Sequence, residues 1–153
     1  FGGMTTSHQS FKSLTVEDGH VTRSTSYTCR GDKFIVTTTS AQPRVFNRDG
    51  FELLQFVKGD VYLTDMANTL GHVSTVNGVC CHPLEKDLVL TGSDDGSVRL
   101  WDIVNGKTTF KMLCCAVVWR VKNERGVRTS VSCVAYHPSG RWFLVGTVCG
   151  SVQ

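Results

Sequence analysis

The residue types that could carry out catalysis are concentrated in one short segment of this sequence. His72, Ser93 and Asp95 lie within 24 positions of one another, and these three types serve as base, nucleophile and orienting acid in serine hydrolases. The sequence nevertheless has no nucleophile elbow, no paired carboxylates at catalytic spacing, no glycine-rich phosphate loop and no His-Glu-x-x-His motif. We therefore expect the chain not to be an enzyme.

The cysteines could hold a metal ion or form disulfides. There are 7 of them, an odd number, and they include two adjacent pairs at positions 80–81 and 114–115. Secreted disulfide frameworks have even counts at regular spacing, and structural zinc sites use Cys-x-x-Cys pairs, which are absent here. We expect reduced cysteines in an intracellular protein, with no metal site and no cofactor.

The charge and hydropathy of the chain exclude further classes. Charged residues make up 19% of the sequence and the formal net charge is +3, a balance that gives no strong electrostatic case for nucleic acid. The longest apolar run, at 112–119, is much shorter than the roughly 18–20 residues that a membrane span requires. We therefore expect a protein that does not span a membrane.

An internal repeat organises the chain. The segment "GHVSTVNGVCCHP" at 71–83 recurs as "GVRTSVSCVAYHP" at 126–138, and "TCRGDKFIVTT" at 28–38 resembles "HPSGRWFLVGT" at 137–147. A further Gly-His pair stands at 19–20. Self-similarity at this period is typical of repeat architectures and propellers. Three units of roughly 55 residues therefore cover the chain from about position 19.

Each unit has the composition of short β-strands separated by turns. In the middle unit we predict strands at 76–80, 87–93 and 97–102, with an outer strand at 107–113. The second and third are joined by Asp94-Asp95-Gly96, a strong hairpin signal because glycine adopts positive φ without steric cost. The first unit repeats the order at 22–28, 33–39, 43–47 and 51–57. Four strands per unit, entered at Gly-His and left at Trp-Asp, indicate β-propeller blades.

The middle unit resembles the blades of WD-repeat proteins. That resemblance implies a hydrogen-bonded chain through the imidazole of His72, the carboxylate of Asp95, the indole of Trp101 and a hydroxyl from Thr91 or, alternatively, Ser93. Such a buried network is stabilising only if all its members are satisfied. The first and third units keep the hydrophobic pattern but not the complete set of polar residues. In the first unit Phe46 and Ser40 replace Trp101 and Asp95, and in the third Val127 and Cys149 replace His72 and Asp95. The network is therefore expected to be structural, and the serine-hydrolase interpretation is disfavoured.

Blocks outside the generic repeat resemble one particular family. These are "QSFKSL" at 9–14, "AQPRVFNRDGFE" at 41–52 and "KGDVYLTDMANTLGH" at 59–72, and they are similar to the gastrulation-defective protein 1 family, also called WD repeat-containing protein 70. The resemblance implies a nuclear, non-enzymatic scaffold in chromatin and DNA-damage responses, linked to a cullin-type ubiquitin ligase. Propellers that dock on the adaptor of this ligase often carry Trp-Asp-x-Arg, where this chain has Val104. Docking is therefore expected through another blade.

The fold class predicted is all-β, a partial propeller of about three consecutive four-stranded antiparallel blades from a larger ring. Propellers close with four to eight blades, so we expect the chain to be a piece of a longer protein whose two terminal sheets leave apolar faces open. The predicted units are an N-terminal segment at 1–18 with a ring-closing strand at 11–14, a degenerate blade at 19–70, a WD-repeat blade at 71–113, and an inter-blade loop with a truncated blade at 114–153.

Two groups of residues are candidates for binding a partner. Loops on a rigid scaffold carry recognition, which favours the residues after the Gly-His pair, Val73, Ser74 and Thr75. The second group is the basic segment 119–128, placed in the connection before the third blade: Arg120, Lys122, Arg125 and Arg128. The partners expected are other proteins, among them a ligase adaptor or chromatin factors. The alternatives are a generic cytoplasmic or RNA-processing scaffold, and a nucleic-acid-binding surface on the basic segment.

Overall fold

The computed structural model describes residues 13, 19–59, 70–85, 87–105, 108–109, 112–113, 116–150 and 152–153. These residues form β-strands and turns. No helix that could cross a membrane is found among them. The predicted strand at 11–14 lies outside the described residues, apart from Ser13. The predicted unit boundaries fall beside residues that are not described, and they stay predictions.

The first sheet contains the first predicted unit. Its strands form antiparallel neighbours in chain order, and all four predicted strands of this unit are present. They are β1 (Thr22–Tyr27), β2 (Lys33–Thr38), β3 (Arg44–Asn47) and β4 (Glu52–Phe56). The turns between them follow the glycine signals, with φ at +69° for Gly31 and +88° for Gly50.

The middle sheet contains the first three strands predicted for the WD-repeat unit. They are β5 (Val76–Cys81), β6 (Leu88–Ser93) and β7 (Ser97–Asp102). The turn between β6 and β7 is the predicted Asp-Gly hairpin, and Gly96 adopts a φ of +76° there. The predictions for these three strands are confirmed.

The outer strand of the middle sheet differs from the prediction. The described residues of the predicted segment 107–113 do not pair with β7; instead, β8 (Thr108–Thr109) and β9 (Met112–Leu113) extend the first sheet, with β9 parallel to β4. The strand next to β7 is β10 (Val117–Arg120). Its consecutive Val117, Val118 and Trp119 suit a half-buried pleated surface, and Trp119 packs on Phe143 at a ring-centroid distance of 5.1 Å. The sequence alone gave no packing partner for either segment.

The third sheet contains β11 (Val131–Tyr136) and β12 (Phe143–Thr147), which pair antiparallel. The start of a further strand is visible where Gln153 exchanges backbone hydrogen bonds with Val145, at 2.8 and 2.9 Å. Three successive sheets, each opening with a strand at its inner edge, give an all-β arrangement of partial propeller blades. The predicted fold class is confirmed.

The inner strands of neighbouring sheets approach one another closely. The backbone N–H of Cys81 in β5 donates to Ser26 Oγ in β1, at 3.2 Å. On the other side of β5, a Cβ added to Gly78 would lie 3.1 Å from the Cα of Cys133 in β11. Glycine at this position therefore allows β5 and β11 to come together around the inner edge of the blades.

Two apolar clusters join the three sheets face to face. The first lies between the first and middle sheets and is made of Ile35, Val45, Phe56, Val79, Cys81, Val89, Trp101 and Ile103. The second lies between the middle and third sheets and is made of Leu90, Val98, Val121, Val131, Val134 and Val145. The alternation of side chains along each strand places residues of β6 and β7 in both clusters, so the middle sheet is buried on its two faces.

The outer faces of the two end sheets behave differently. On the first sheet, Phe34, Val36 and Phe46 are buried in a cluster of their own, with the rings of Phe34 and Phe46 stacked at 5.4 Å. The expectation that this face would be open is therefore wrong. On the third sheet, Leu144 is 57% exposed, as expected for an end face. A pleated sheet sends every second side chain outward, and only contacts distant in the sequence decide whether they are covered.

An ion pair fixes the first and middle sheets at the end opposite the β6–β7 hairpin. Lys33 Nζ in β2 lies 3.0 Å from Asp87 Oδ1, whose side chain is 2% exposed. Asp87 adopts a φ of +62°, a conformation that aspartate tolerates better than most residues. Asp87 thus forms the turn before β6 and also pairs with the lysine of the neighbouring sheet.

We predict that Gly92→Ala will destabilise the protein by about 1–3 kcal/mol because it overpacks the second cluster. An added Cβ would collide with Val131 Cγ1 and lie 2.9 Å from Val134 Cγ1. Urea unfolding of the purified protein measures the change.

Val131→Ala removes the colliding methyl group and provides the matched test. The loss of unfolding free energy in the double variant Gly92→Ala, Val131→Ala is expected to be smaller than the sum of the losses in the two single variants. Strict additivity would show that the two sites are independent, and would contradict this packing.

Candidate functional site

A chain of buried polar groups runs across the middle sheet on the side that faces the first sheet. Trp101 Nε1–H donates to Thr91 Oγ1 at 2.8 Å, Thr91 Oγ1 lies 2.7 Å from His72 Nε2, and His72 Nδ1 lies 3.0 Å from Asp95 Oδ2. An ionised carboxylate can only accept, so the proton of the neutral imidazole lies on Nδ1 and is donated to Asp95. Nε2 is then an acceptor and receives the Thr91 hydroxyl hydrogen, while the Thr91 oxygen accepts from the indole, which can only donate. We call these four residues the polar lock.

The carboxylate of Asp95 collects three further donors. They are the backbone N–H of Val73 at 3.1 Å, the backbone N–H of Ser97 at 2.9 Å and the Ser97 hydroxyl at 2.6 Å. Burial by itself raises the pKa of Asp95, but the hydrogen bonds from His72, Ser97 and Val73 outweigh it and lower the pKa to about 2. The buried carboxylate is therefore ionised and satisfied.

The imidazole of His72 is neutral in this environment. Burial disfavours the charged ring and lowers the pKa of His72 below its ordinary value of 6.5, against the opposing effect of Asp95. A neutral ring has one donor and one acceptor nitrogen, which are the roles that the two neighbours require.

The structure places Thr91, rather than Ser93, between the indole and the imidazole. The Ser93 hydroxyl instead donates to the carbonyl of Thr75 at 2.8 Å, and so holds the loop before β5. His72, Thr91 and Trp101 are each 0% exposed. Although Thr91, His72 and Asp95 are ordered like a nucleophile, base and acid, the Thr91 oxygen is covered by the indole and cannot meet a substrate.

The other two sheets lack the complete set of these polar residues. The register that pairs Val89 with Trp101 pairs Phe34 with Phe46 in the first sheet, so Phe46 takes the place of Trp101. In the third sheet, Val145 lies at the position of Thr91, and the predicted equivalents of His72 and Asp95 are Val127 and Cys149. Among the described residues, the complete polar lock is found only in the middle sheet.

Two contributors to this site were not anticipated from the sequence. The ring of Phe56, from β4 of the first sheet, stacks on Trp101 at a centroid distance of 4.3 Å and an interplanar angle of 18°. Ser97 adds two hydrogen bonds to Asp95. A serine directly after an Asp-Gly pair is a recognisable turn signal, whereas nothing local to Phe56 indicates its partner.

The candidate contact residues after the Gly-His pair are half-buried and partly committed to the fold. The backbone of Val73 donates to Asp95, the carbonyl of Ser74 accepts from Ser93 at 3.2 Å, and the Thr75 hydroxyl donates to the carbonyl of Thr39 at 2.9 Å. The side chain of Ser74 keeps its polar group without a bond to another described residue. Contact of Val73, Ser74 and Thr75 with a partner stays a prediction.

The basic segment is divided between a strand and a turn. Arg120 ends β10, while Lys122, Arg125 and Arg128 are exposed on the connection that follows. The N–H of Val121 donates to the carbonyl of Gly96 at 2.9 Å, and the N–H of Asp94 donates to the carbonyl of Thr75 at 3.0 Å. The β6–β7 hairpin therefore lies between the two candidate groups, and both are at the same end of the sheets.

Comparison with known families agrees with this geometry. Residues 65–102 and 121–153 match the WD40 family model, described as WD domain, G-beta repeat. The chain carries WD40 repeats. Such repeats form scaffolds that mediate contacts between proteins and are in general not enzymes. The first match covers the middle sheet with the polar lock, and the second covers the third sheet.

The whole chain also aligns with individual WD-repeat proteins. It is 38% identical to WD repeat-containing protein 70 of Xenopus tropicalis over 153 residues, 33% identical to the Gastrulation defective protein 1 homolog of Drosophila melanogaster over 153 residues, and 33% identical to the human WD repeat-containing protein 70 over 153 residues. The predicted resemblance is confirmed. The chain spans 22–24% of the length of these relatives.

We predict that Thr91→Val will destabilise the protein strongly, because it leaves the Trp101 N–H and the His72 Nε2 buried without a partner. Each such group costs about 1–3 kcal/mol. Urea unfolding provides the measurement. Thr25→Val on the exposed side of β1 is the matched control and is expected to change stability by less than about 0.5 kcal/mol. Similar losses in both variants would contradict a stabilising role for the lock.

We also predict that acid destabilises the repeat through His72. The unfolded chain takes up a proton on this ring below pH 6.5, whereas the folded chain takes it up only at lower pH, because burial depresses the folded pKa. The free energy of unfolding should therefore fall as the pH drops below 6.5.

Variants of both ionisable residues separate their contributions. His72→Gln should flatten the decrease just below pH 6.5. For Asp95, with a folded pKa of about 2 against 3.8 in the unfolded chain, stability is lost between about pH 4 and 2, and Asp95→Asn should remove that part. Denaturant unfolding across the pH range measures both; parallel curves for wild type and His72→Gln would refute the assignment.

Proposed function

We propose that this chain is part of a nuclear WD-repeat scaffold that works in chromatin and DNA-damage responses together with a cullin-type ubiquitin ligase. One observation carries the proposal: the alignment with WD repeat-containing protein 70 extends over all 153 residues. It therefore includes the connections outside the generic repeat, where the sequence resembles this family most specifically.

The architecture supports a scaffold role. The middle sheet is buried on both faces and held by a satisfied polar network, so the loops at its ends are carried on a rigid support. Rigid loops lose little conformational freedom on binding, which favours recognition of a partner protein.

Docking on the ligase adaptor is assigned to a part of the protein other than this blade. Val104 stands where adaptor-binding repeats often carry arginine, and it is 58% exposed at the end of the middle sheet opposite the β6–β7 hairpin. An apolar side chain there cannot form the charged hydrogen bonds of a guanidinium group.

Affinity capture of the tagged full-length protein from nuclear extract tests the proposal. We expect recovery of the ligase adaptor and of histones after DNA damage, measured by quantitative mass spectrometry. Recovery of splicing factors or of cytoplasmic proteins without the adaptor would favour the generic scaffold, and recovery dependent on RNA would favour a nucleic-acid binder.

A pair of variants locates the contact within this chain. Ser74→Glu places a charge beside the β6–β7 hairpin and is expected to lower recovery of at least one chromatin partner severalfold. Leu84→Glu places the same charge at the opposite end of the middle sheet, on a side chain that is 68% exposed, and serves as the control. Equal recovery with both variants would remove residues 73–75 from the contact surface.

A further inference from the structure

The connection between β10 and β11 is a preformed turn, which we call the basic hairpin (residues 121–129). The N–H of Thr129 donates to the carbonyl of Val121 at 3.2 Å, and the N–H of Asn123 donates to the carbonyl of Val127 at 2.8 Å. Asn123 Oδ1 accepts from the N–H groups of Arg125 and Val127, each at 3.0 Å. The tip is therefore held by its own hydrogen bonds and needs little ordering before it binds.

The charges on the basic hairpin have no evident role in the fold. Lys122 and Arg128 are directly opposed across the hairpin, an arrangement of like charges that is destabilising in an antiparallel pair. No ion pair to Lys122, Arg125 or Arg128 is found among the described residues. A rigid turn that holds three exposed cations together is a surface suited to an anionic partner.

A cavity adjoins the basic hairpin. It has a volume of about 250 Å³ and is lined by Asn123, Glu124, Arg125 and Cys149. The cavity thus lies between the hairpin and the turn after β12, where the third sheet has Cys149 at the position of Asp95. Two exposed apolar side chains, Val127 at 59% and Val148 at 67%, lie next to these lining residues in the chain.

The lining of the cavity distinguishes between anionic partners. A DNA backbone presents only acceptors to a protein and an RNA backbone adds only the 2′-hydroxyl as a donor, so the phosphates of either would meet the carboxylate of Glu124 unfavourably. A peptide also carries backbone N–H groups, which can donate to Glu124 while its acidic side chains pair with the cations. The nearest aromatic residue of β10, Trp119, packs on Phe143 instead of offering a stacking platform for bases at the hairpin.

We propose that the basic hairpin and its cavity bind an extended acidic peptide segment of a partner protein. Carboxylates of the segment pair with Lys122, Arg125 and Arg128, one side chain enters the cavity beside Cys149, and apolar atoms of the segment contact Val127 and Val148. The proposal rests on the scaffold role of the chain. It states that a partner protein binds through an acidic segment at the end of the sheets where the basic hairpin lies.

Binding of a defined probe to the purified full-length protein tests this inference. The probe is a fluorescein-labelled peptide of glutamate residues around a central leucine, followed by fluorescence anisotropy. Arg125→Gln with Arg128→Gln removes two charges but keeps most of each stem, including the part of Arg128 that lies over Gly96. We expect binding about fivefold to thirtyfold weaker, as two exposed ion pairs would account for.

Two comparisons make the result specific. Arg30→Gln with Arg48→Gln removes the same charge from exposed arginines in other turns and should leave binding unchanged. Glu124→Gln should tighten binding severalfold, because it keeps an oxygen that accepts from the peptide N–H groups but removes a negative charge that repels the peptide carboxylates. An equal loss in both arginine pairs would reduce the effect to non-specific electrostatics and would overturn the proposal.

Alkylation of cysteine gives an independent readout of position. Cys149 and Cys29 are both exposed thiols, and Cys149 lines the cavity whereas Cys29 lies in the turn after β1. The peptide should slow modification of Cys149 by N-ethylmaleimide, measured by mass spectrometry, and should leave Cys29 unaffected.

Several outcomes would contradict the proposal. They are the absence of peptide binding, the absence of protection at Cys149, and displacement of the probe by single-stranded DNA or RNA at lower concentrations than by unlabelled peptide. The last result would assign the basic hairpin to nucleic acid. Because these measurements use purified protein and a defined peptide, they are independent of whether capture from nuclei recovers the ligase adaptor.

Discussion

Trp101 makes the two contacts that link the sheets of the described structure: its ring packs on an apolar neighbour, and its N–H is hydrogen-bonded to a polar one. The face of its ring stacks on Phe56 from the first sheet, and its N–H enters the polar lock of the middle sheet. One side chain thereby joins a non-directional apolar interface to a directional hydrogen-bonded chain. The apolar contact brings two sheets together, and the hydrogen bonds fix the loops at the end of one of them.

The polar lock explains why a single complete repeat can organise three sheets. His72 and Asp95 tie the segment before β5 to the β6–β7 hairpin. The outer sheets lack the complete set of lock residues and are held by packing against the middle one. In repeat proteins, interfaces between neighbours supply much of the stability, so the loss of the lock in two blades is compatible with an ordered array.

The replacement of lock residues also makes the blades differ at the end of the sheets that carries the β6–β7 hairpin. Where the middle blade has Asp95 with its carboxylate satisfied, the third has Cys149 at the wall of a cavity. A position that is buried in one repeat is therefore exposed in the next. Degenerate repeats acquire separate surfaces in this way while their strands remain superimposable in register.

Local periodicity and turn chemistry predicted the repeats, the first strands of each blade and the Asp-Gly hairpin, and the resemblance to WD-repeat blades implied the residues of the polar lock. The choice between Thr91 and Ser93 needed the folded structure, because both hydroxyls lie on the same face of β6 and differ only in what lies opposite them. The predicted outer strand of the middle blade was wrong, because the strand beside β7 is β10, whose Trp119 packs on Phe143 of the third sheet, a contact that local composition does not reveal. The partner of Trp101 on the first sheet and the cavity beside Cys149 both depend on contacts between distant segments. Such contacts are set by how whole sheets pack, which no local pattern records.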